Sequence, residues 1–186
     1  MSANRVIFDH YSQFPMEEWR WPNFTPAELA CNGTGKLMVD FDAMDRLQAL
    51  RDDLGQPIHL NSAYRSPEYN AKVGGAKASQ HMEAKAFDPS MINHDPHKFE
   101  AAAIRAGFTA IGYYVSQNFM HIDCRARPEG HKPAKWGKPW PKPEIADDPH
   151  KVLANRPKPD AEPAPEIIGN PLSRPRRRRL GFAPRF

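Results

Sequence analysis

The chain has 186 residues, enough for one domain with a sizeable core plus an appendage. Its formal net charge is +4, and its two cysteines, Cys31 and Cys124, are too few for a disulfide framework, so we expect them to be reduced and buried. No run of 18 apolar residues occurs, which excludes a transmembrane helix, and the first ten residues lack the apolar segment of a signal peptide. We therefore expect synthesis in the cytoplasm without a Sec export signal.

The first 23 residues are rich in aromatic side chains and contain two prolines. We predict that residues 1–23 form an arm that packs on the domain or on a partner. Residues 25–28 then combine an N-cap threonine, a proline at the first helical position and a glutamate at the third, which predicts a short helix. A longer helix is predicted over 42–54, where apolar residues recur at three- and four-residue steps before Gly55.

The middle of the chain alternates between strand and helix patterns. Residues 58–64 are predicted as a strand that delivers Arg65 to the end of a sheet, and a capped helix is predicted over 96–106. Residues 110–115 and 119–124 are predicted as a hairpin. The expected fold class is α+β, a small antiparallel sheet with helices packed on one side.

Two histidines and two carboxylates fall at spacings that indicate a metal site. Alternation along the second hairpin strand puts His121 and Asp123 on one face, away from the core. The same alternation turns Asp88 outward, with His81 reaching in from the preceding loop. His81, Asp88 and His121 would supply three ligands and leave a fourth position open, as in catalytic zinc sites. Since the chain has eight histidines, surface or capping roles are the alternative.

Another histidine pair, His94 and His97, has the spacing H-x-x-H. One of them precedes the cap of the helix predicted over 96–106 and the other lies in its first turn, where polar residues are expected without a metal. We therefore do not assign them as ligands.

Two motifs match the signature of a known family. They are Ser79-x-His81-x-x-Ala84-x-Ala86-x-Asp88 and His121-x-Asp123. The first resembles the SxHxxGxAxD signature of the zinc D-alanyl-D-alanine carboxypeptidases, LAS-type peptidases that include phage endolysins and share the hedgehog/DD-peptidase fold. The second resembles the HxD of shorter phage and prophage members. Collinear similarity covers about residues 20–137, and one departure stands out: Ala84 replaces the usual glycine.

The resemblance implies a zinc-dependent hydrolase of the peptide stem or crosslink of peptidoglycan, with carboxypeptidase and endopeptidase cleavage both open. It implies that Zn²⁺ binds to His81, Asp88 and His121. By the same resemblance Arg65 anchors a carboxylate or carbonyl of the peptide, and we expect Ser79 to hydrogen-bond the substrate or a ligand. Asp123 would orient or deprotonate the attacking water, and the spacing leaves both roles open.

The composition changes at Pro128, since thirteen of the 20 prolines lie between there and the end. We predict a peptidase domain over 24–139 and an extended Pro/Arg-rich tail over 140–186. The tail carries a cluster of five arginines, Arg174 and Arg176 to Arg179. No aromatic residues alternate with them and no groove-reading helix is evident, which favours docking to a protein partner or an anionic envelope over binding nucleic acid. A merely solvated run of charges is the other alternative.

A cell-wall enzyme without an export signal fits a phage or prophage lysin, which would reach the cell wall after lysis or as part of a virion tail. The alternative is a catalytically inactive hedgehog-like domain that serves as a structural or cell-wall-binding part of an assembly.

Overall fold

The computed structural model of the protein describes residues 4–142. The helices there are α1 (Pro26–Leu29), α2 (Phe41–Leu54), α3 (Pro67–Lys72) and α4 (Pro96–Arg105). The strands are β1 (Arg5–Phe8), β2 (Leu37–Asp40), β3 (Ala86–Phe87), β4 (Ala110–Tyr114), β5 (Phe119–Asp123) and β6 (Ala134–Trp136). The predicted α+β class is confirmed.

Strands β3, β5, β4 and β6 form a four-stranded sheet in that spatial order. β5 pairs antiparallel with both β3 and β4, so the predicted small antiparallel sheet is confirmed. This register places Ala86 opposite Asp123 and Gly112 opposite His121, which brings the end of β3 beside the polar face of β5. The edge strand β6 pairs in parallel with β4, a pairing that its three residues are too few to predict by alternation.

Helices α2 and α4 pack on one face of this sheet. Each begins at an aspartate whose side chain accepts backbone hydrogen bonds, Asp40 from Ala43 N at 3.0 Å and Asp95 from two amides of the first turn. The apolar residues of the helices and strands share one buried cluster, which includes Met44, Leu47, Leu50, Phe99, Ala102, Ala103, Ile111, Met120 and Ile122. The other face of β5 carries His121 and Asp123.

The N-terminal segment packs against the rest of the described chain. β1 pairs antiparallel with β2 in a separate two-stranded sheet. Phe14 and Trp21 are 4% and 1% exposed and belong to the main core cluster. The indole Nε1 of Trp21 donates to Asp45 Oδ1 at 2.8 Å, so the aromatic residues of the arm are fixed by both burial and hydrogen bonding.

Residues 58–64 differ from their prediction. They form a single isolated bridge, Leu60 to Pro89, instead of a regular strand. Helix α3 begins directly after Arg65 and Ser66, because the Ser66 hydroxyl accepts from Tyr69 N and proline occupies the first helical position. The cap and proline were visible in the sequence, but the helix has six residues and lacks a long periodic pattern.

Among residues 4–142, no helix is both long and apolar enough to cross a membrane. The predicted tail over 140–186, with its arginine cluster, lies almost entirely outside the described residues. The predicted partner-docking role of that tail therefore stays a prediction.

Candidate metal centre

His81 lies in a one-turn 3-10 helix, Gln80–Glu83, and is 2% exposed. The Ser79 hydroxyl caps this turn by accepting a hydrogen bond from His81 N at 3.3 Å. The imidazole Nδ1 lies 2.6 Å from the Ala63 carbonyl oxygen. Because a carbonyl oxygen only accepts, Nδ1 carries the proton and Nε2 keeps a lone pair directed into the site.

Asp88 follows β3 directly and is 4% exposed. Its backbone is fixed on both sides, since Asp88 N donates to Ser62 O and Asp88 O accepts from Asn61 N, both at 2.9 Å. Its two carboxylate oxygens have different partners. Oδ2 accepts from Nη2 of Arg65, and Oδ1 points towards His81 and His121.

His121 lies in the middle of β5. Its Nε2 donates to Asp123 Oδ2 at 3.0 Å, which leaves the lone pair of Nδ1 for the site. Nδ1 of His121 is 2.8 Å from Asp88 Oδ1 and 3.2 Å from His81 Nε2, and Nε2 of His81 is 3.2 Å from Asp88 Oδ1. Ligands bound tetrahedrally at about 2.0–2.1 Å lie roughly 3.3 Å apart, so this triangle fits a zinc ion.

The structure thus brings the three predicted ligands together. Within the described range they are the one group of three or more His, Cys, Asp or Glu side chains whose atoms lie close enough to share an ion, all within 4.8 Å of one another. All three residues are buried. Two neutral imidazole nitrogens and one carboxylate oxygen are a donor set typical of catalytic zinc.

Burial and hydrogen bonding shift the pKa values of these groups in different directions. Burial lowers the pKa of His81, which favours the neutral imidazole that a metal requires. Burial would also lower the pKa of His121, but its hydrogen bonds with Asp123 and Asp88 outweigh that effect and raise it. Burial would raise the pKa of Asp88, yet its bonds to His121 and His81 hold the pKa well below the ordinary value. Asp88 is therefore ionised.

Asp123 is 0% exposed and is not among the residues that line the cavity at the site. Its carboxylate accepts from His121 Nε2 and from Arg125, whose Nε lies 2.9 Å from Oδ1 and whose Nη2 lies 2.5 Å from Oδ2. Burial would raise the pKa of Asp123, but the bonds from Arg125 and His121 hold it well below its usual value. Of the two roles predicted for Asp123, these contacts support orientation of His121.

A cavity of about 450 Å³ opens over the three ligand atoms. Arg65 and Ser79, the predicted substrate-binding residues, line it. Nε of Arg65 donates to Ser62 Oγ at 2.7 Å and Nη2 donates to Asp88, while Nη1 makes no hydrogen bond within residues 4–142. Among the described residues that line the cavity, Asp88 is the only carboxylate.

Two further residues of this cavity, Arg125 and Trp136, have no role predicted from the sequence. The guanidinium of Arg125 lies 5.0 Å from the centre of the Trp136 ring, and that ring lies 5.3 Å from His121. Trp136 lies close to Gly112, where an added Cβ would be 2.6 Å from the indole, so residue 112 has to be glycine. Alternation on β5 could have indicated Arg125, which follows Asp123 by two positions.

The two histidines of the H-x-x-H pair, His94 and His97, lie away from the candidate metal site. Nε2 of His94 lies 3.0 Å from Pro57 O, and Nε2 of His97 lies 3.0 Å from Pro141 O. Nε2 of each histidine therefore donates to a backbone carbonyl, and neither histidine lines the cavity at the metal site.

Ala84, the departure from the motif, adopts a left-handed conformation with φ 53° and ψ 27°. In this conformation the Cβ of an alanine comes close to the following carbonyl oxygen. A glycine has no Cβ and would avoid that contact. The alanine methyl group is buried against Cys31 and Tyr64, which offsets part of that cost.

Both cysteines are free thiols; Cys31 is buried and Cys124 is half-buried.

The sequence model of the Peptidase M15 family matches residues 22–123. The peptidoglycan L,D-endopeptidase MepK of Escherichia coli K12 is 36% identical to the chain over 90 residues, which cover 45% of this chain and 48% of MepK. MepK of Shigella flexneri matches with the same identity and coverage. The chain thus spans about half the length of the curated relatives that it matches.

Proposed function

The chain belongs to the peptidase M15 family, and on that premise we propose that it is a zinc-dependent peptidase that hydrolyses an amide bond in the peptide stem or crosslink of bacterial peptidoglycan. The observation that carries the proposal is the buried triangle of His81 Nε2, Asp88 Oδ1 and His121 Nδ1, whose edges measure 2.8 to 3.2 Å. The similarity to MepK, which is named a peptidoglycan endopeptidase, supports the substrate class.

His81, Asp88 and His121 would hold the zinc ion. A zinc ion with three protein ligands supplies a Lewis acid that activates water near neutral pH and polarises a carbonyl group. A neighbouring group fixes the tautomer or the orientation of each of these three side chains. The Ala63 carbonyl fixes the tautomer of His81, Asp123 fixes that of His121, and Arg65 holds the second oxygen of Asp88.

The other motif residues would bind or position the substrate. Arg65 has one guanidinium nitrogen, Nη1, directed to no described partner, so it can donate to a carbonyl or carboxylate of the peptide. The Ser79 hydroxyl lies at the cavity wall and can accept from or donate to the peptide backbone. Asp123 acts through His121 and is a positioning residue, because its carboxylate is satisfied by Arg125 and His121 and has no access to the cavity.

The biological setting is a separate part of the proposal. A lysin encoded by a phage or prophage, free or carried in a virion tail, remains our hypothesis for how the enzyme reaches the cell wall. The competing hypothesis is an inactive domain with a structural or cell-wall-binding role. The retained set of three ligands with fixed tautomers favours the enzyme, because an inactive domain has no need to keep each lone pair directed at one point.

One experiment tests the proposal directly. Purified protein is loaded with zinc, its metal content is measured by mass spectrometry, and it is incubated with crosslinked and uncrosslinked muropeptides released from purified sacculi by a muramidase. We expect one zinc per chain and loss of a single amide bond, detected as a defined mass change in the products. Chelation should abolish cleavage and added zinc should restore it.

Intact muropeptides in the presence of one bound zinc per chain would overturn the enzymatic proposal and favour the structural alternative. Cleavage that survives complete removal of the metal would overturn the role of zinc.

A further inference from the structure

One residue, Arg125, supplies most of the hydrogen bonds to the carboxylate of Asp123. The Asp123 side chain is 0% exposed, and a buried charge is costly unless it is paired and hydrogen-bonded. Oδ1 accepts from the backbone N of Arg125 at 3.0 Å and from its Nε at 2.9 Å. Oδ2 accepts from Nη2 of Arg125 at 2.5 Å. Within residues 4–142, His121 is the only other residue that donates to these two oxygens, through Nε2 at 3.0 Å.

Asp123 Oδ2 therefore accepts from Arg125 and His121 at once. The guanidinium binds the carboxylate as a fork, because Nε and Nη2 reach different oxygens, and a fork fixes the plane of the group that it holds. Without the guanidinium, the buried negative charge would lose its counterion and Oδ2 would keep His121 as its one described partner. The position of Oδ2, and with it the direction of the His121 ring, thus depends on Arg125.

The direction of that ring decides where its other nitrogen lies. Nδ1 of His121 is one corner of the triangle of candidate ligand atoms, 2.8 Å from Asp88 Oδ1 and 3.2 Å from His81 Nε2. A rotation of the ring that follows a displaced Asp123 would move Nδ1 away from the other two corners. Groups that hydrogen-bond a metal-binding imidazole from behind commonly change metal affinity by about 10–100-fold when they are replaced. Arg125 lies one step further from the site, behind Asp123.

Trp136 covers the guanidinium and the imidazole together. The centre of its ring is 5.0 Å from the guanidinium carbon of Arg125 and 5.3 Å from the centre of the His121 ring. The sheet register explains this arrangement, because Gly112 of β4 is paired with His121 on one side and with Trp136 on the other. With no side chain at residue 112, the indole can lie across this position and reach His121. Arg125 thus has a packed partner on its face as well as a carboxylate at its edge.

Arg125 and Trp136 lie beyond the part of the chain that the family model matches, which ends at residue 123. The match therefore assigns no role to either of them. The ion pair of Arg125 with Asp123 differs from a surface pair, which contributes little to stability, because one of its partners is 0% exposed. Arg125 also lines the cavity at the metal site, so its role has to be tested without substrate, where contact with a peptide plays no part.

We propose that Arg125 is a positioning residue that acts through Asp123 to hold the His121 imidazole with Nδ1 directed into the metal site. Three side chains in series, Arg125, Asp123 and His121, then set the affinity for the ion, and only the last of them binds it. The inference rests on the proposed zinc site and adds to it a residue outside the family match.

The test measures zinc affinity by competition with a chromophoric chelator, with no substrate present. Arg125→Ala should weaken the affinity by at least about tenfold, the lower end of the range for groups behind a ligand. Arg125→Lys keeps the charge but not the fork, so it should stay folded and lose affinity by a smaller factor. The matched control is Arg127→Ala, which removes the same side chain two residues on, where the buried Nε has no hydrogen-bond partner within residues 4–142. Affinity should be unchanged in this control.

A double-mutant cycle shows whether Arg125 acts through Asp123. Arg125→Ala added to Asp123→Asn should weaken zinc binding by less than about twofold beyond Asp123→Asn alone, because the group through which it acts is already altered. Circular dichroism on every variant separates lost positioning from lost folding.

Three results would overturn the inference while the proposed function stands on zinc binding and cleavage by the wild-type protein. They are an unchanged affinity in Arg125→Ala, an equal loss in Arg127→Ala, and losses in Arg125→Ala and Asp123→Asn that simply add. If Arg125→Ala does not fold, wild-type affinity in Arg125→Lys would overturn it.

Failure of the proposed function has a different signature. Wild-type protein that binds zinc but cleaves no muropeptide would overturn the function, with the affinity test still valid. If wild-type protein binds no zinc, the metal-free protein decides, because the Nε2 proton of His121 is hydrogen-bonded to Asp123 and gives a proton resonance that His121→Ala lacks. Its exchange with solvent should be several-fold faster in Arg125→Ala than in wild type or Arg127→Ala. Equal exchange in all three proteins would overturn the inference.

Discussion

Strand β5 has two faces that are buried to nearly the same degree but for opposite reasons. On one face Met120 and Ile122 are both 0% exposed and pack in the main core. On the other, His121 and Asp123 are 9% and 0% exposed. Apolar side chains are stabilised by burial without a specific partner, whereas buried polar atoms each need one.

The polar face meets that requirement with residues from elsewhere in the chain. His121 donates through Nε2 to Asp123, and its Nδ1 lies 2.8 Å from Asp88 Oδ1. Asp88 is also held by Arg65, and Asp123 by Arg125. The apolar face thus supplies stability, while the polar face is a connected network that fixes atoms at defined positions. Substitutions on the two faces should therefore have separable effects.

The largest expected effect is on the polar face. His121→Ala should abolish zinc binding at micromolar metal and lower the rate of muropeptide cleavage by about 10³-fold or more, because one of three ligands is lost. The fold should persist, since Asp88 keeps Arg65 and Asp123 keeps Arg125. Metal analysis, circular dichroism and muropeptide digestion check this.

The control for that variant is His97→Ala, which removes an imidazole whose one hydrogen bond within residues 4–142 goes to the Pro141 carbonyl. It should retain zinc and activity. Full activity in His121→Ala would contradict the assignment of metal binding and activity to the polar face of β5.

Substitutions on the apolar face of β5 should lower the free energy of unfolding. Met120→Ala removes a fully buried side chain from the core and should lower the free energy of unfolding by about 2–5 kcal/mol, measured by urea denaturation of the metal-free protein. Folded protein of this variant should still bind one zinc. Met16→Ala is the matched control, because Met16 is 59% exposed and its truncation should change stability little. A loss below about 1 kcal/mol at Met120 would contradict the assignment of this face to the core.

Asp123 lies on the polar face but is not one of the three proposed ligands, so its effect should be smaller. Asp123→Asn keeps the shape and removes the charge that orients His121, and should weaken zinc affinity by about 10–100-fold. Competition with a chromophoric chelator measures the change. Asp53→Asn, which alters an exposed ion pair with Arg105, is the control and should not change affinity. Equal affinity in Asp123→Asn and wild type would reject the orienting role.

Of the two faces of β5, only the polar face carries side chains whose protonation changes with pH. The pKa of His121 is raised, so in the metal-free protein this group contributes stability below about pH 6.5 that is lost as the pH rises through its folded pKa. Zinc requires the neutral ring, so protons compete with it below that same pKa. Zinc affinity should fall by about tenfold per pH unit there. Titrations between pH 5 and pH 8 measure it; a flat profile would contradict the ligand role of His121.

The smallest expected effect is at Ala84, beside the network. Ala84→Gly should relieve the left-handed conformation, but it also loses a buried methyl group and gains freedom in the unfolded chain. These terms oppose one another, so the free energy of unfolding should change by less than about 1 kcal/mol. Urea denaturation checks this. A stabilisation above about 2 kcal/mol would mean that the alanine is strained more than its geometry indicates.

Elements whose causes are local could be predicted from the amino-acid sequence alone. Helices α2 and α4 begin at side-chain caps and follow apolar periodicity, so each was predicted to within about one residue. The hairpin of β4 and β5 follows from alternation, and alternation also placed His121 and Asp123 on one face. The sequence motifs also contain the three residues, His81, Asp88 and His121, that the fold brings within 4.8 Å of one another.

Features that depend on residues far apart in the chain needed the three-dimensional structure. They are the pairing of β1 with β2 and of β6 with β4, and the contact of Arg125 with Asp123 and Trp136. The spacing of His121 and Asp123 was compatible with two roles for the aspartate. The physical reason is that alternation fixes the direction of a side chain, whereas the groups it meets there are set by the folding of distant segments.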